Sequence, residues 1–381
     1  MRAWILSAVV LAALGGGLSR AADDDDDAPA GNDVAPAGDE APAGFKEVYG
    51  EWKTTIARLD ELKTKYKTAK KADRLAIEKE YEALVERMKE LTPQLKEVQL
   101  EAEKAFETNP EDAEAAEYLA STASGHFAED NYEEAARLAT LLIDNKFSNK
   151  AIYELAGIAA FRTSDFDAAE KYLKTAMDQK VIREQGSEYL RDIGKYRKYW
   201  AAEKKIRAAE AKADDLPRVL LKTNKGEITI ELFENEAPNA VANFVSLVEK
   251  GFYNGVTFHR VLPGFMAQGG DPDGTGSGGP GYTIACECHQ DNFRRHFRGT
   301  LSMAHAGRDT GGSQFFLTFH PTGHLDGMHT AFGRVIEGMD VLSKLQRRDP
   351  GDPSAPEPDK IVEDTVVRKR AHDYQPVTKP D

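Results

Sequence analysis

Residues 258–271 read Phe258-His259-Arg260-Val261-Leu262-Pro263-Gly264-Phe265-Met266-Ala267-Gln268-Gly269-Gly270-Asp271. Before this stretch, Val219-Leu220-Leu221-Lys222-Thr223 and Glu227-Ile228-Thr229-Ile230-Glu231-Leu232 read as strands joined by the turn Asn224-Lys225-Gly226. Ala237 to Lys250 reads as a helix ended by Gly251. After it come Leu301-Ser302-Met303-Ala304, then Gly311-Gly312-Ser313-Gln314-Phe315-Phe316, then Leu325-Asp326-Gly327-Met328-His329 and Phe332-Gly333. The texture changes at Leu216-Pro217. Pattern alone makes the chain from there mostly β with a few helices.

These segments, in this order, closely resemble the cyclophilin family from residue 216 to residue 369. The resemblance implies an eight-stranded antiparallel β-barrel with a helix closing each end. It also implies peptidyl-prolyl cis-trans isomerase activity on proline-containing polypeptides. The chemistry sets its own requirements. Amide resonance gives an X-Pro bond a rotation barrier of roughly 18–20 kcal/mol. Lowering it requires no nucleophile, metal or cofactor, and none is expected here. It requires an apolar slot for the proline ring and a donor aimed at the prolyl nitrogen, where it localises the lone pair and weakens the resonance. An arginine suits this, being always charged and rigidly forked.

Arg260 takes that role. By resemblance, Phe265, Met266, Phe316 and Leu325 line the proline slot, and Gln268 helps hold Arg260 and the substrate backbone. His329 borders the slot and Gln314 contacts the peptide. Ala304 and His305 lie where the family's strand-like segment bonds the substrate main chain. Two residues depart from the best-known members: His305 replaces an asparagine, and His324 stands where many eukaryotic members carry a tryptophan that packs against cyclosporin. Weak drug sensitivity is the expected result, with isomerase activity retained.

Other signals are weaker. Gly274-Thr275-Gly276-Ser277-Gly278-Gly279 matches G-x-G-x-x-G but lacks the strand, helix and acidic partner of a dinucleotide site, and reads as a loop beside the pocket. Cys286-Glu287-Cys288-His289, with His296 nearby, leaves a zinc site and a strained disulfide open beside the default of two free thiols. His259 reads as structural, because the reaction moves no proton.

The preceding half reads as helical. Phe45, Tyr49, Trp52, Ile56 and Leu59 step by four and three, as do Ile77, Tyr81, Leu84, Met88, Leu91, Leu95 and Val98. Such a heptad-like stripe over 45–107 belongs to long packed helices, either one helix with a register shift or two folded back on each other. Pro93 is expected to kink or restart the second, and Thr108-Asn109-Pro110 to start a new helix with proline first. Within 108–213, Asp130-Asn131-Tyr132-Glu133-Glu134-Ala135 matches Ser164-Asp165-Phe166-Asp167-Ala168-Ala169 at a spacing of 34 residues, with Ala123 and Gly157 as the small residues. That period resembles tetratricopeptide repeats and implies binding of clients or partners, although a packed spacer fits too. A helix from about Ser187 to Ala213 is expected to cap the array. The fold class is therefore multidomain α and β: an all-α helical hairpin or repeat region, then the barrel.

The ends and the composition complete the reading. Residues 1–21 read as a signal peptide, with Arg2 before the apolar run Trp4 to Leu18 and small residues at Ser19 and Ala21; an uncleaved anchor is the alternative. Residues 22–44, with Asp23 to Asp27 and Ala-Pro-Ala-Gly units, read as a disordered acidic linker, and 370–381 as a disordered tail. The mature protein is expected to be periplasmic or secreted, with no membrane span. A net charge of −14 repels phosphate backbones, so no nucleic-acid partner is expected. Two rivals to an enzyme stay open: a binding module that merely grips proline peptides, and an adaptor whose surface is the helical stripe. The Arg260, Phe265, Gln268 and Phe316 set favours the enzyme. A fragment from Asp214 onward is expected to keep turnover on small peptides.

Overall fold

Residues 44–380 are described by the computed structural model. The expected signal and almost all of the expected linker lie outside the described residues. The chain divides into two units, one of residues up to Gly125 with Arg137–Ile152, the other of His126–Ala136 with Tyr153 onward. These divisions differ from the borders at 108, 213 and 216 read from the sequence. The unit that holds the sheet takes in part of the helical half.

In the first unit, α1 (Phe45–Thr68) and α2 (Lys71–Glu97) are separate helices. Arg58 pairs with Glu80 and Arg87 with Glu51, so residue numbers rise in one helix as they fall in the other, and the two run antiparallel. The stripe residues Phe45, Tyr49, Trp52 and Leu59 are buried, as are Tyr81, Met88, Leu91 and Leu95. Each such side chain withdrawn from water contributes about 1.5–3 kcal/mol. Helix α2 is not restarted at Pro93 but runs through it and breaks only at Val98, before α3 (Gln99–Thr108). The next helix, α4 (Ala113–Ala128), starts three residues beyond Pro110. There the Asp112 carboxylate accepts from the Ala115 N–H at 3.1 Å, satisfying an open helix-start donor, so the cap is Asp112 and Pro110 lies outside the helix.

In the second unit, the end of α4 and the start of α5 (Tyr132–Asp144) belong with α6 (Ile152–Arg162), α7 (Phe166–Asp178) and α8 (Glu184–Ala213). Asp165 caps α7 through the Ala168 N–H at 3.1 Å. Helix α7 crosses α6 at Gly157, where a Cβ would come within 2.7 Å of Leu173 Cγ. Helix α8 lies on the sheet. Trp200 packs on Phe297 at 4.8 Å, the Arg295 guanidinium sits 3.7 Å over Tyr199, and Glu203 and Glu210 bond Arg294 and Arg334.

The sheet has eight strands: β1 (Arg218–Thr223), β2 (Gly226–Leu232), β3 (Arg260–Leu262), β4 (Met266–Gly269), β6 (Thr300–Met303), β7 (Phe315–Thr318), β8 (Ala331–Glu337) and β9 (Ile361–Arg368), while β5 (Tyr282–Ile284) lies outside it. Their order is β3-β4-β7-β6-β8-β2-β1-β9, and every pair is antiparallel. The sheet curls so that the chain entering one edge strand meets the chain entering the other. Gly255 N–H donates to Ile361 O at 2.7 Å, and Phe258 N–H to Asp359 O at 2.8 Å. Alternate residues point inward, and Val219, Leu221, Ile228, Ile230, Phe315, Leu317 and Phe332 form the core with Phe244 of α9 (Pro238–Glu249). Glu287 caps α9 by accepting from Asn239 and Ala240 N–H at 3.1 and 2.8 Å. A short α10 (Met339–Lys344) packs beside β2.

The expected disordered tail is a correction. Tyr374 is buried, its hydroxyl donates to Glu234 at 3.0 Å, and β10 (Thr378–Pro380) pairs antiparallel with β5. A single aromatic anchor and a strand pairing outweigh the polar composition. Neither cysteine lies on a strand: both follow β5, and both are free thiols. Among the described residues no helix is long and apolar enough to cross a membrane.

Candidate active site

Strand period places the site. Arg260 is directly opposite Gln268, and Gln268 directly opposite Phe316. With neighbouring strands about 4.8 Å apart, the three form a row roughly 10 Å long on one face. Met266 and Gln314, each two residues from a member of the row, share that face. The intervening Val261, Ala267 and Leu317 point the other way and are fully buried in the core.

The turn Pro263-Gly264-Phe265 joins β3 to β4, and Gly264 has a φ of 65°, a left-handed conformation that favours glycine. It delivers Phe265 to the end of the row. On the far side, the stretch after β6 supplies Ala304 and His305, and the short 3₁₀ turn Gly323–Leu325 supplies Leu325. All ten residues expected at the site, Arg260, Phe265, Met266, Gln268, Ala304, His305, Gln314, Phe316, Leu325 and His329, line one cavity of about 550 Å³.

The polar groups divide into engaged and unengaged. The Gln268 amide donates to Gln314 at 3.0 Å, and the Gln314 amide donates to Gly276 O and Gly278 O, both at 3.0 Å. Gln268 is thus bound to Gln314 instead of to Arg260, because Gln314 lies diagonally across from it, just before the next strand. Among the described residues the Arg260 guanidinium makes no hydrogen bond or ion pair. His329 stacks on His305 at 4.1 Å, and its Nδ1 meets Met303 O at 2.9 Å. Burial holds the His329 imidazole below its usual range, and its histidine neighbours add to the effect. His259 is buried and also held low by burial, so both rings are neutral near pH 7. His324 lies beside Phe265, with ring centroids 5.8 Å apart.

The glycine loop read from the sequence as lying beside the pocket is there, while Tyr282, Thr283 and the partners of His296 escaped the sequence reading. The loop Gly276 to Pro280, with Tyr282 and Thr283, forms one wall. It is tied down by Asp271, whose carboxylate accepts from Gly276 N–H. Beneath the slot, His296 lies flat against Phe316 at 6.0 Å, with Nδ1 on Asp326 at 3.0 Å and Nε2 on Ser302 at 2.8 Å. With both ring nitrogens engaged, His296 is not placed to serve the zinc reading. Among the described residues no cluster of three or more metal-ligating side chains occurs.

A neutral slot, a row of amides and an unpaired guanidinium provide for binding an apolar ring and hydrogen-bonding around it, with no nucleophile poised for covalent chemistry. Residues 218–367 match the family model for cyclophilin-type peptidyl-prolyl cis-trans isomerases. A peptidyl-prolyl cis-trans isomerase of Helicobacter pylori (strain ATCC 700392 / 26695) is 55% identical over 150 residues, which is 38% of this chain and 91% of that protein. The chain belongs to the cyclophilin-type peptidyl-prolyl cis-trans isomerases. Peptidyl-prolyl cis-trans isomerase B of Bacillus subtilis is 54% identical over 123 residues of this isomerase, 32% of it and 85% of the relative. A solved cyclophilin-type isomerase of Cryptosporidium parvum is 34% identical, covering 41% of this chain and 99% of its own, with a TM-score of 0.37. The family match leaves the helices before residue 218 outside it.

Proposed function

We propose that this isomerase acts on X-Pro segments of proteins exported from the cytoplasm, and that its helical region engages clients or partners. Arg260 donates to the prolyl nitrogen as it pyramidalises. Phe265, Met266, Phe316 and Leu325 enclose the ring, and His329 closes the rim. His305 presents main-chain groups that make no hydrogen bond among the described residues, fitting an extended peptide added as a strand. Gln268 and Gln314 bond the peptide beside the scissile-free, rotating bond. The signal-like residues 1–21 support an exported, periplasmic setting, and the repeat-like helices packed at Gly157 support a docking role.

The observation that carries the mechanism is the unpaired Arg260 guanidinium in register with Gln268 and Phe316. Exchange rates on an Ala-Pro peptide test it. Arg260→Ala is expected to lose most turnover while still binding the peptide. Unchanged turnover would favour a pocket that only grips. Recovery of the processed chain from a periplasmic fraction tests the setting, and cytoplasmic retention of the full-length chain would overturn it.

A further inference from the structure

The turn that carries Phe265 is bonded from outside the sheet. Gly264 N–H donates to the Asp130 carboxylate at 2.8 Å, and Gly264 O faces His320 Nε2 at 2.6 Å. Asp130 lies between α4 and α5, in the same unit as the sheet, and is 1% exposed. Its other oxygen accepts from Arg347 at 2.8 Å, and Arg347 also donates to Glu129 O at 2.7 Å. The next residue, Arg348, exchanges backbone hydrogen bonds with Val261 at 2.8 and 2.9 Å. One carboxylate therefore holds both the turn at one end of the Arg260–Phe265 hairpin and the strand-like segment paired along its edge.

The surroundings fix that carboxylate. Tyr132 donates its hydroxyl to Asp130 and receives a bond from Arg162. The Arg162 guanidinium lies over the Phe127 and Tyr132 rings at 4.9 and 4.8 Å. Asp130 has a φ of 61°, a left-handed conformation that an acidic side chain adopts at some cost. Ser164, its counterpart 34 residues on, repeats this conformation at 67° without a carboxylate. The helix-pair turn thus does not itself require an acid; the contact with the hairpin does.

We infer that Asp130 is a positioning residue for isomerisation: through Gly264 and Arg347 it fixes where Phe265 and Arg260 stand, so the helical segment sets the width of the proline slot. The inference rests on reading the cavity as the isomerase site. On the opposite wall the Tyr196 hydroxyl of α8 sits against Gly323, two residues before Leu325, leaving no room for a Cβ.

The test uses the full chain. Asp130→Ala is expected to speed exchange of the Gly264 amide and to lower kcat/KM on an Ala-Pro peptide by about tenfold, chiefly through KM, as loss of a buried charge-assisted bond implies. Asp130→Asn, which keeps an acceptor for Gly264 N–H, is expected to recover most of that loss. Leu173→Ala, a cavity in α7 away from the turn, is the stability-matched control and is expected to leave kcat/KM unchanged. If Asp130→Ala fails to fold, Tyr132→Phe removes one bond from the same carboxylate and gives the same ordering at smaller amplitude. An effect at Asp130 no larger than that of Leu173→Ala overturns the proposal. If the wild type turned over no peptide, the enzymatic reading would fail; Gly264 exchange and peptide Kd would still decide whether Asp130 sets the slot.

Discussion

Glu203 and Arg294 form a two-point ion pair at 2.6 and 3.1 Å, with side chains only 6% and 1% exposed. Burial works against the Glu203 charge, yet Arg294 and Arg207 outweigh it and hold the carboxyl below its usual range. Glu203→Ala would leave Arg294 buried with less counter-charge, and breaking such a pair costs about 3–5 kcal/mol. Urea unfolding of the variant should show that loss; a change under about 1 kcal/mol would mean that solvent already screens the pair.

The same pair bears on where the isomerase can be cut. A fragment starting at Asp214 keeps Arg294 and Arg334 but loses Glu203 and Glu210, their partners on α8. Glu231 and Glu236 stay with the two arginines, so the expectation that this fragment turns over small peptides stands, at a cost in stability. It should be less soluble and melt lower than a chain starting at Phe45. Equal melting temperatures of the two would show that α8 is dispensable.

Gly270, next to last in the 258–271 stretch, has a φ of 84°, and a Cβ there would run into the Ser313 carbonyl and come within 3.0 Å of the Phe315 ring. Backbone strain and overpacking together put Gly270→Ala at about 2–4 kcal/mol. Ser313 and Gln314 would shift with it, so kcat/KM should fall as well. Gly307→Ala, with open space around its Cβ, is the comparison and should fall within about 0.5 kcal/mol of wild type by thermal melting.

The difference between what was legible and what was not follows sequence distance. Arg260, Met266 and Gln268 sit on strands whose two-residue period is local, so the motif that named them also set their common face. Phe316 and Leu325 came from the order of motifs, which a family resemblance carries even where periodicity is short. Asp130 registered only as one letter of a weak repeat, because its partner Gly264 is 134 residues away. His296 looked like a loose metal ligand until Asp326, 30 residues on, and Ser302 were seen to take its ring nitrogens. Glu203 and Glu210 lay on a helix read as a cap, with nothing in their spacing to pair them with distant arginines.

The C-terminal tail shows the same limit and gives its own prediction. Tyr374 is 3% exposed and its bond to Glu234 spans 140 residues. Tyr374→Ala should cost about 3 kcal/mol, near the range for deleting a buried aromatic. Deleting residues 370–381 should cost at least as much, since it also removes the β10 pairing with β5. A deletion that left the melting temperature unchanged would restore the view of a loose tail.

His320 gives the stability a pH dependence between its two pKa values. Burial, reinforced by Arg162, lowers its imidazole from 6.5 to about 4. Assigning its proton to Nε2 makes it a donor to Gly264 O. The unfolded chain takes up a proton as pH falls through 6.5, and the folded chain only near 4. Its contribution is therefore complete above pH 6.5, shrinks across the interval and is gone below about 4. His259 and His329, both held low by burial, act with the same sign. Asp326, whose carboxyl is held below 3.8 by His296 and Arg295 against its burial, adds a further loss at lower pH. His320→Gln should thus flatten, without abolishing, the fall in melting temperature between pH 6.5 and 4. An unchanged slope would mean that this ring already carries a proton in the folded state.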